Sequence, residues 1–167
     1  MKLSHLSLIA CLFAAPSALA LTTDTEQPIY IDSDSQSLDM KSHQVTFSGD
    51  VKLKQGSINI NADRVIVTRS TENDALEKIE AFGNPATFSQ LTDEGKTLKG
   101  QAKELHYLVS GDQLTMITDA ELAQDESLIR GKTITYKISS QKLIADGGKN
   151  ERVTTVLQPA QLNSQDQ

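Results

Sequence analysis

The side chains that could carry catalysis or bind a metal are few and widely separated in this sequence. Beyond the N-terminal leader described below, the only histidines are His43 and His106, with no cysteine nearby and no H-x-x-x-H spacing. Zinc sites need several such ligands at short intervals, so no metal site is expected. The chain also lacks G-x-S-x-G, the motif that exposes a nucleophilic serine in hydrolases. We therefore expect no enzymatic activity, no catalytic residue and no cofactor.

One acidic cluster consists of Asp32, Asp34 and Asp39. These residues lie between short apolar runs, where aspartate is favoured because its side chain caps turns. A structural role in turns explains them better than acid–base chemistry.

The most informative pattern in the sequence is the spacing of its apolar residues. Between residues 45 and 67, apolar side chains recur at every second position within short runs, as expected for strands with one buried and one solvent-exposed face. Gly49-Asp50, Gln55-Gly56 and Ala62-Asp63 interrupt these runs at turn or bulge positions. The stretch predicts strands of four or five residues that offer their apolar faces to one interior. The apolar positions are Val45, Phe47, Val51, Leu53, Ile58, Ile60, Val65 and Val67.

The same pattern returns 69 residues later. Val45 corresponds to Leu114, and Asp50 corresponds to an identical residue, Asp119. Because the interruptions recur together with the apolar positions, the sequence predicts two similar β-units stacked along one axis.

The N-terminus has the organisation of a secretory signal peptide. Lys2 precedes an apolar run from Leu6 to Ala15, and Ala18-Leu19-Ala20 matches an A-x-A cleavage site. We interpret residues 1–20 as a leader cut after Ala20, which indicates a bacterial periplasm. A lipoprotein alternative, with Cys11 acylated, would leave too short an apolar region before the cut.

Residues 21–167 would then form one domain without cysteine, stabilised by packing alone. The full chain has 16 Lys and Arg against 22 Asp and Glu, and losing Lys2 makes the acidic excess larger. This balance argues against a nucleic-acid partner. Aromatic residues make up 4% of the chain, too few to favour a sugar-stacking lectin.

About sixteen short strands and no convincing helix can be counted along the chain, which predicts an all-β roll, sandwich or closed sheet. Residues 69–77 have no period of two and are expected to form an exposed loop or a turn of helix. Gly83-Asn84-Pro85 is expected to turn the chain, as are residues 146–150.

Several segments together resemble one family, that of the lipopolysaccharide-transport periplasmic protein A (LptA, OstA-like). They are S-D-S-Q-S-L-D-M, V-T-F-S-G-D-V, I-N-A-D-R-V-I-V, G-N-P-A-T-F and R-V-T-T-V-L. The resemblance covers residues 24–162. The resemblance implies an open, slightly twisted antiparallel β-jelly roll. It also implies a periplasmic bridge that binds lipopolysaccharide through its lipid A acyl chains and carries it from the inner to the outer membrane.

The resemblance implies partners as well: head-to-tail copies of the chain, an LptC-like inner-membrane protein and an LptD-like outer-membrane protein. The expected contacts are the edges of the first and last strands, since an open roll leaves backbone groups unpaired there. These edge residues are Pro28, Ile29, Tyr30, Ile31, Val153, Thr154, Thr155, Val156 and Leu157.

A groove for acyl chains would be lined by inward-facing apolar residues. Ile29, Ile31 and Phe88 match first-strand and G-x-P-x-x-F positions that line the interior in the family. The full candidate set is Ile29, Ile31, Phe47, Leu53, Ile60, Val67, Phe88, Leu105, Tyr107, Met116 and Ile134. Ordinary core packing is the competing explanation for each. In that alternative the protein is a structural envelope protein with a sealed core and no lipid ligand.

Arg69 and Lys78 could meet lipid phosphates or simply keep the surface soluble.

Overall fold

Nearly all of the chain from Ile29 to Leu157 lies in strands or in short connections between them. The computed structural model describes residues 21–157; the predicted signal peptide and the end of the C-terminal tail lie outside this range. A 3₁₀ helix covers Leu21–Glu26. The strands are β1 (Ile29–Asp32), β2 (Ser35–Asp39), β3 (Gln44–Gln55), β4 (Ile58–Arg69), β5 (Leu76–Leu91), β6 (Thr97–Leu108), β7 (Gln113–Gln124), β8 (Ser127–Lys137), β9 (Lys142–Asp146) and β10 (Thr154–Val156).

The strands form one antiparallel sheet in which consecutive long strands are neighbours. The order is β1-β3-β4-β5-β6-β7-β8-β10, with β2 also pairing to β3 and β9 to β8. At each end of the sheet, two short strands therefore pair with successive parts of one edge of the same long strand. The expectation of an open, all-β antiparallel fold is confirmed.

The expected short strands are the halves of longer ones. A register shift interrupts every pairing between consecutive long strands near its middle. Gly49-Asp50 and Ala62-Asp63 lie at such shifts inside β3 and β4, and Gly83-Asn84-Pro85 lies inside β5. The predicted count of about sixteen strands is therefore too high: residues 21–157 form ten, because a bulge lets a strand bend without ending. Gln55-Gly56 does turn the chain, between β3 and β4.

The line of bulges folds the sheet back on itself into two layers. We call layer A the part formed by β2, β9 and the half-strands paired in line with them, and layer B the part formed by β1, β10 and the other halves. Tyr107 in layer A donates a hydrogen bond to Gln55 in layer B at 3.4 Å. Tyr136 and Phe88 also meet across the layers, with ring centroids 6.1 Å apart. The apolar faces of the two layers are thus turned toward each other, and the hairpin turns lie along a seam opposite the bulges.

The predicted repeat is visible in the backbone. Gly49 and Asp50 have positive φ angles of 84° and 41°, and Thr118 and Asp119, 69 residues later, have 66° and 55°. The register shift falls between Ser48 and Val51 in the first unit and at the equivalent place in the second. The two units therefore bend by the same local geometry.

The middle of the roll is a filled core. Val51, Val65, Ala81 and Met116 have no exposed surface. A methyl group added at Gly100 would lie 2.7 Å from the Met116 sulfur, so facing side chains leave no room for another carbon. This part of the interior has the packing of an ordinary protein core.

The seam is spanned near its middle by the segment 24–27, which we call the N-terminal clasp. The Asp24 carboxylate is 3% exposed and accepts hydrogen bonds from Ser57 N at 2.8 Å and Gln90 Nε2 at 3.3 Å. Gln55 Nε2 donates to the carbonyls of Thr25 and Gln27. The clasp thereby satisfies polar groups that would otherwise be buried without partners.

The two glutamines of this network also hold layer A. Gln55 Oε1 accepts from the Tyr107 hydroxyl, and Gln90 Oε1 accepts from the Tyr136 hydroxyl at 3.1 Å. Burial raises the pKa of both tyrosines to about 12, so both remain neutral donors at physiological pH. Each glutamine therefore joins the clasp to the opposite layer.

Asp24→Ala removes the acceptor of the clasp and is expected to lower the free energy of unfolding by about 1–3 kcal/mol, because buried donors on Ser57 and Gln90 lose their partner. Urea unfolding measures the change. Glu26→Ala, at an exposed position of the same helix, is the control and should stay within about 0.5 kcal/mol of the parent. Equal effects of the two substitutions would contradict this role of Asp24.

Thr118→Gly is expected to raise the free energy of unfolding by about 1 kcal/mol. A β-branched residue at positive φ is strained, and glycine occupies the equivalent position of the first unit at no steric cost. Thermal and urea unfolding measure the change. Thr115→Gly, in the regular part of the same strand, should instead destabilise by about 1 kcal/mol. Destabilisation by both would mean that the left-handed backbone at residue 118 is not a source of strain.

Candidate functional site

A large apolar cavity opens at the β1–β2 end of the sheet. Its volume is about 620 Å³, within the usual range for ligand sites. Because no strand of residues 21–157 covers the outer side of β1 and β2, most apolar side chains here are only partly buried against the core, while Val67 and Ile79 are buried. The lining residues are Thr25, Gln27, Ile29, Ile31, Gln36, Val45, Phe47, Gln55, Val67, Arg69, Leu76, Ile79 and Val109.

The structure divides the candidate groove residues into two groups. Ile29, Ile31, Phe47 and Val67 come together around this end cavity. The other seven belong to the packed middle, where each is at most 2% exposed: Leu53, Ile60, Phe88, Leu105, Tyr107, Met116 and Ile134. The two groups share one continuous apolar interior. In the first group, Ile29, Ile31 and Phe47 are only partly buried, whereas Val67 is 7% exposed and belongs to the core.

Sequence reasoning missed part of the cavity wall. Val45 and Val109 follow the same alternation as Phe47 and Tyr107, so that signal was present in the sequence. Leu76 and Arg69 were assigned to an exposed loop; Leu76 instead opens β5 and faces the cavity. Leu76 follows a polar segment in which apolar residues do not alternate, so the sequence does not indicate which way its side chain points.

A second apolar opening lies at the other end of the sheet. It has a volume of about 210 Å³ and is lined mainly by aliphatic residues of β6 to β9 and by Leu157 after β10. Among the residues that line this opening, only Leu157 belongs to the candidate site residues predicted from the sequence, where it is an edge residue. Its apolar lining residues are Leu98, Leu122, Ala123, Leu128, Ile129, Tyr136, Leu143 and Leu157.

The two sheet edges carry large exposed apolar side chains. Tyr30 is 65% exposed on β1, Met40 79% just after β2, Ile144 71% on β9 and Leu157 75% after β10. Across the described part of the chain, β1 and β10 each pair on one side only. Unpaired backbone combined with apolar side chains is suited to pairing with another strand.

His106 lies beside two carboxylates, too few ligands to make a metal site. His106 lies 3.2 Å from Glu104 and 3.9 Å from Glu80 on the outer face of layer A. Among residues 21–157, no three His, Cys, Asp or Glu side chains are grouped to hold a metal ion. The helical part of the described chain contains no segment of the length and hydropathy needed to cross a membrane.

Comparisons with known proteins agree with this architecture. Residues 30–142 match the family described as LptA/(LptD N-terminal domain) LPS transport protein. The lipopolysaccharide export system protein LptA of Escherichia coli K12 is 48% identical over 163 residues, which cover 96% of this chain and 88% of that protein. Its counterpart in Haemophilus influenzae is 47% identical, with 94% and 92% covered.

A solved structure shows the same fold. The crystal structure of LptH, the LptA-homologous periplasmic component of the lipopolysaccharide transport device of Pseudomonas aeruginosa, superposes with a TM-score of 0.74 at 26% identity, covering 82% of this chain and 99% of LptH. With the sequence matches over most of the chain, this places the protein in the LptA family of lipopolysaccharide transport proteins.

Proposed function

We propose that this protein is a periplasmic bridge that binds lipopolysaccharide by its lipid A acyl chains and passes it from the inner to the outer membrane. The observation that carries the proposal is the 620 Å³ apolar cavity at an unpaired sheet edge. In this proposal residues 1–20 direct export and are removed after Ala20.

The free energy of transfer explains why such a cavity is needed. Burying one CH₂ contributes about 0.8 kcal/mol, so an acyl chain of a dozen carbons gains roughly 10 kcal/mol in an apolar site. Lipid chains cannot cross an aqueous compartment unless an apolar site replaces the interior of the bilayer. The ends of the roll supply aliphatic surface in place of the bilayer.

Transfer between copies must be nearly isoenergetic if lipid is to move on. The β1–β2 and β9–β10 ends are both lined by aliphatic residues. A lipid that moves from one end to the other therefore stays in a similar apolar environment, and its free energy changes little. The sequence contains no phosphate-binding glycine loop. The energy that gives direction is therefore supplied by another protein of the transport system.

Strand direction supports head-to-tail assembly. In layer B, β1 runs from the seam toward the bulges and β10 runs the opposite way; in layer A, β2 and β9 are likewise opposed. Stacking the β9–β10 end of one copy on the β1–β2 end of the next would therefore pair antiparallel strands in both layers. Such contacts join different surfaces and lead to open chains of copies.

The same edges would receive the partners at the two membranes. The matching family profile groups LptA with the N-terminal domain of LptD, which supports an LptD-like outer-membrane protein bearing a related roll. An LptC-like inner-membrane protein would occupy the opposite end of the bridge.

A sealed structural envelope protein is the other hypothesis, and the packed middle of the roll favours it. The two hypotheses differ at the open end. A structural protein needs no wide apolar cavity there, whereas a lipid carrier does.

Photocrosslinking in cells distinguishes them. A photoreactive amino acid replacing Ile29 or Phe47 is expected to crosslink to lipopolysaccharide, because both side chains line the cavity. The same substitution at Thr46, whose side chain points to the opposite face of β3, is the matched control and should give little product. Crosslinks that are absent from residues 29 and 47, or equal at residue 46, would support the sealed protein.

Truncation after Asn150 removes β10 and is expected to weaken concentration-dependent self-association, because one of the two strand edges at that end is lost. Analytical ultracentrifugation over a range of concentrations measures the change. Truncation after Leu157 keeps β10 and is the control. If both shortened chains associate as well as the parent, the strand edges are not the contact.

A further inference from the structure

A polar pocket adjoins the apolar end cavity. It has a volume of about 540 Å³ and lies over the connection between β4 and β5. Arg69 and Leu76 line both spaces, so the two meet at these residues. The remaining walls of the pocket are mostly hydroxyl, amide and carboxylate side chains: Ser42, Thr68, Ser70, Thr71, Glu72, Asn73, Ala75, Glu77 and Ser110.

Arg69 is the single basic residue in the lining of either space. Its backbone N–H is bonded to the His43 carbonyl at 3.0 Å, which fixes the end of β4. Its Nη1 atom lies 3.2 Å from Asp74 Oδ2 and 3.4 Å from the Asp74 carbonyl. Half of the Arg69 side chain is exposed, so this ion pair contributes little to stability and can exchange its anion.

We propose that the polar pocket binds the phosphorylated sugar headgroup of the lipid whose acyl chains occupy the end cavity, with Arg69 pairing a phosphate in place of Asp74. This inference rests on the proposed lipid-binding function. An amphiphile needs an apolar space and a polar one in contact, and here they meet at Arg69. A guanidinium matches phosphate oxygens with two parallel hydrogen bonds.

The acidic residues of the pocket set the orientation of the headgroup. Glu72 and Glu77 repel phosphate but accept hydrogen bonds from sugar hydroxyls. The phosphate is therefore confined to the Arg69 side, while hydroxyl-bearing sugar faces the carboxylates. Asp74 competes with the phosphate for Arg69, so its charge tunes the affinity for phosphorylated lipids.

Affinity measurements with matched lipids test the proposal on the full-length mature protein. The probes are bis-phosphorylated lipid A, the same lipid with both phosphates removed, and inorganic phosphate. Arg69→Gln is expected to weaken binding of phosphorylated lipid A about tenfold, the effect of one charged hydrogen bond, and to change binding of the dephosphorylated lipid less than about twofold. Asp74→Asn should tighten binding of the phosphorylated lipid only.

Lys78→Gln is the control, because Lys78 pairs with Glu80 at 3.0 Å and lines neither space; it should leave both lipids unaffected. Equal loss of both lipids in Arg69→Gln, or no loss of either, would overturn the headgroup site. Saturation by inorganic phosphate at the same concentration as lipid would identify a free-anion site instead. If the parent protein binds neither lipid, the acyl-chain function itself is refuted.

Discussion

The bend that each of the six long strands makes near its middle is the constraint on which the rest of the structure depends. A flat sheet with this alternation would expose one entire apolar face. Bulges with positive φ at Gly49-Asp50 and Thr118-Asp119 let the strands turn a corner without losing their neighbours. The two halves of each apolar face then cover one another, and the sheet becomes a roll.

A roll built from one folded sheet is covered everywhere except at its first and last strands. Its middle therefore packs as a core, with Val51 and Met116 fully buried, while its ends stay open around Phe47 and Leu143. The clasp around Asp24 adds hydrogen bonds across the seam in the middle. In the proposed function, stability and lipid binding thus belong to different parts of one interior: the middle holds the layers together, and the ends provide the space.

Strand β1 has two roles, because its side chains line the cavity while its backbone forms an edge of the sheet. Ile29 and Ile31 line the cavity, Tyr30 between them faces solvent, and the backbone has one unpaired side. A neighbouring strand that pairs with β1 would extend the sheet and the apolar interior in the same step. In the function proposed above, assembly and continuity of the lipid path are therefore one event, and no separate gate is needed between copies.

The sequence by itself determined the all-β class, the inward-facing apolar positions, the 69-residue repeat and the family, because these follow from local alternation and from the order of motifs. It did not determine whether Gly49-Asp50 ends a strand or bends it, since both geometries favour the same residue types. Only the tertiary structure decided that Phe47 lines an open end while Met116 packs the middle: burial depends on which strand lies alongside, and alternation is the same in both places. The partners of Asp24 and the meeting of two pockets at Arg69 likewise join residues far apart in the chain, which no local pattern records.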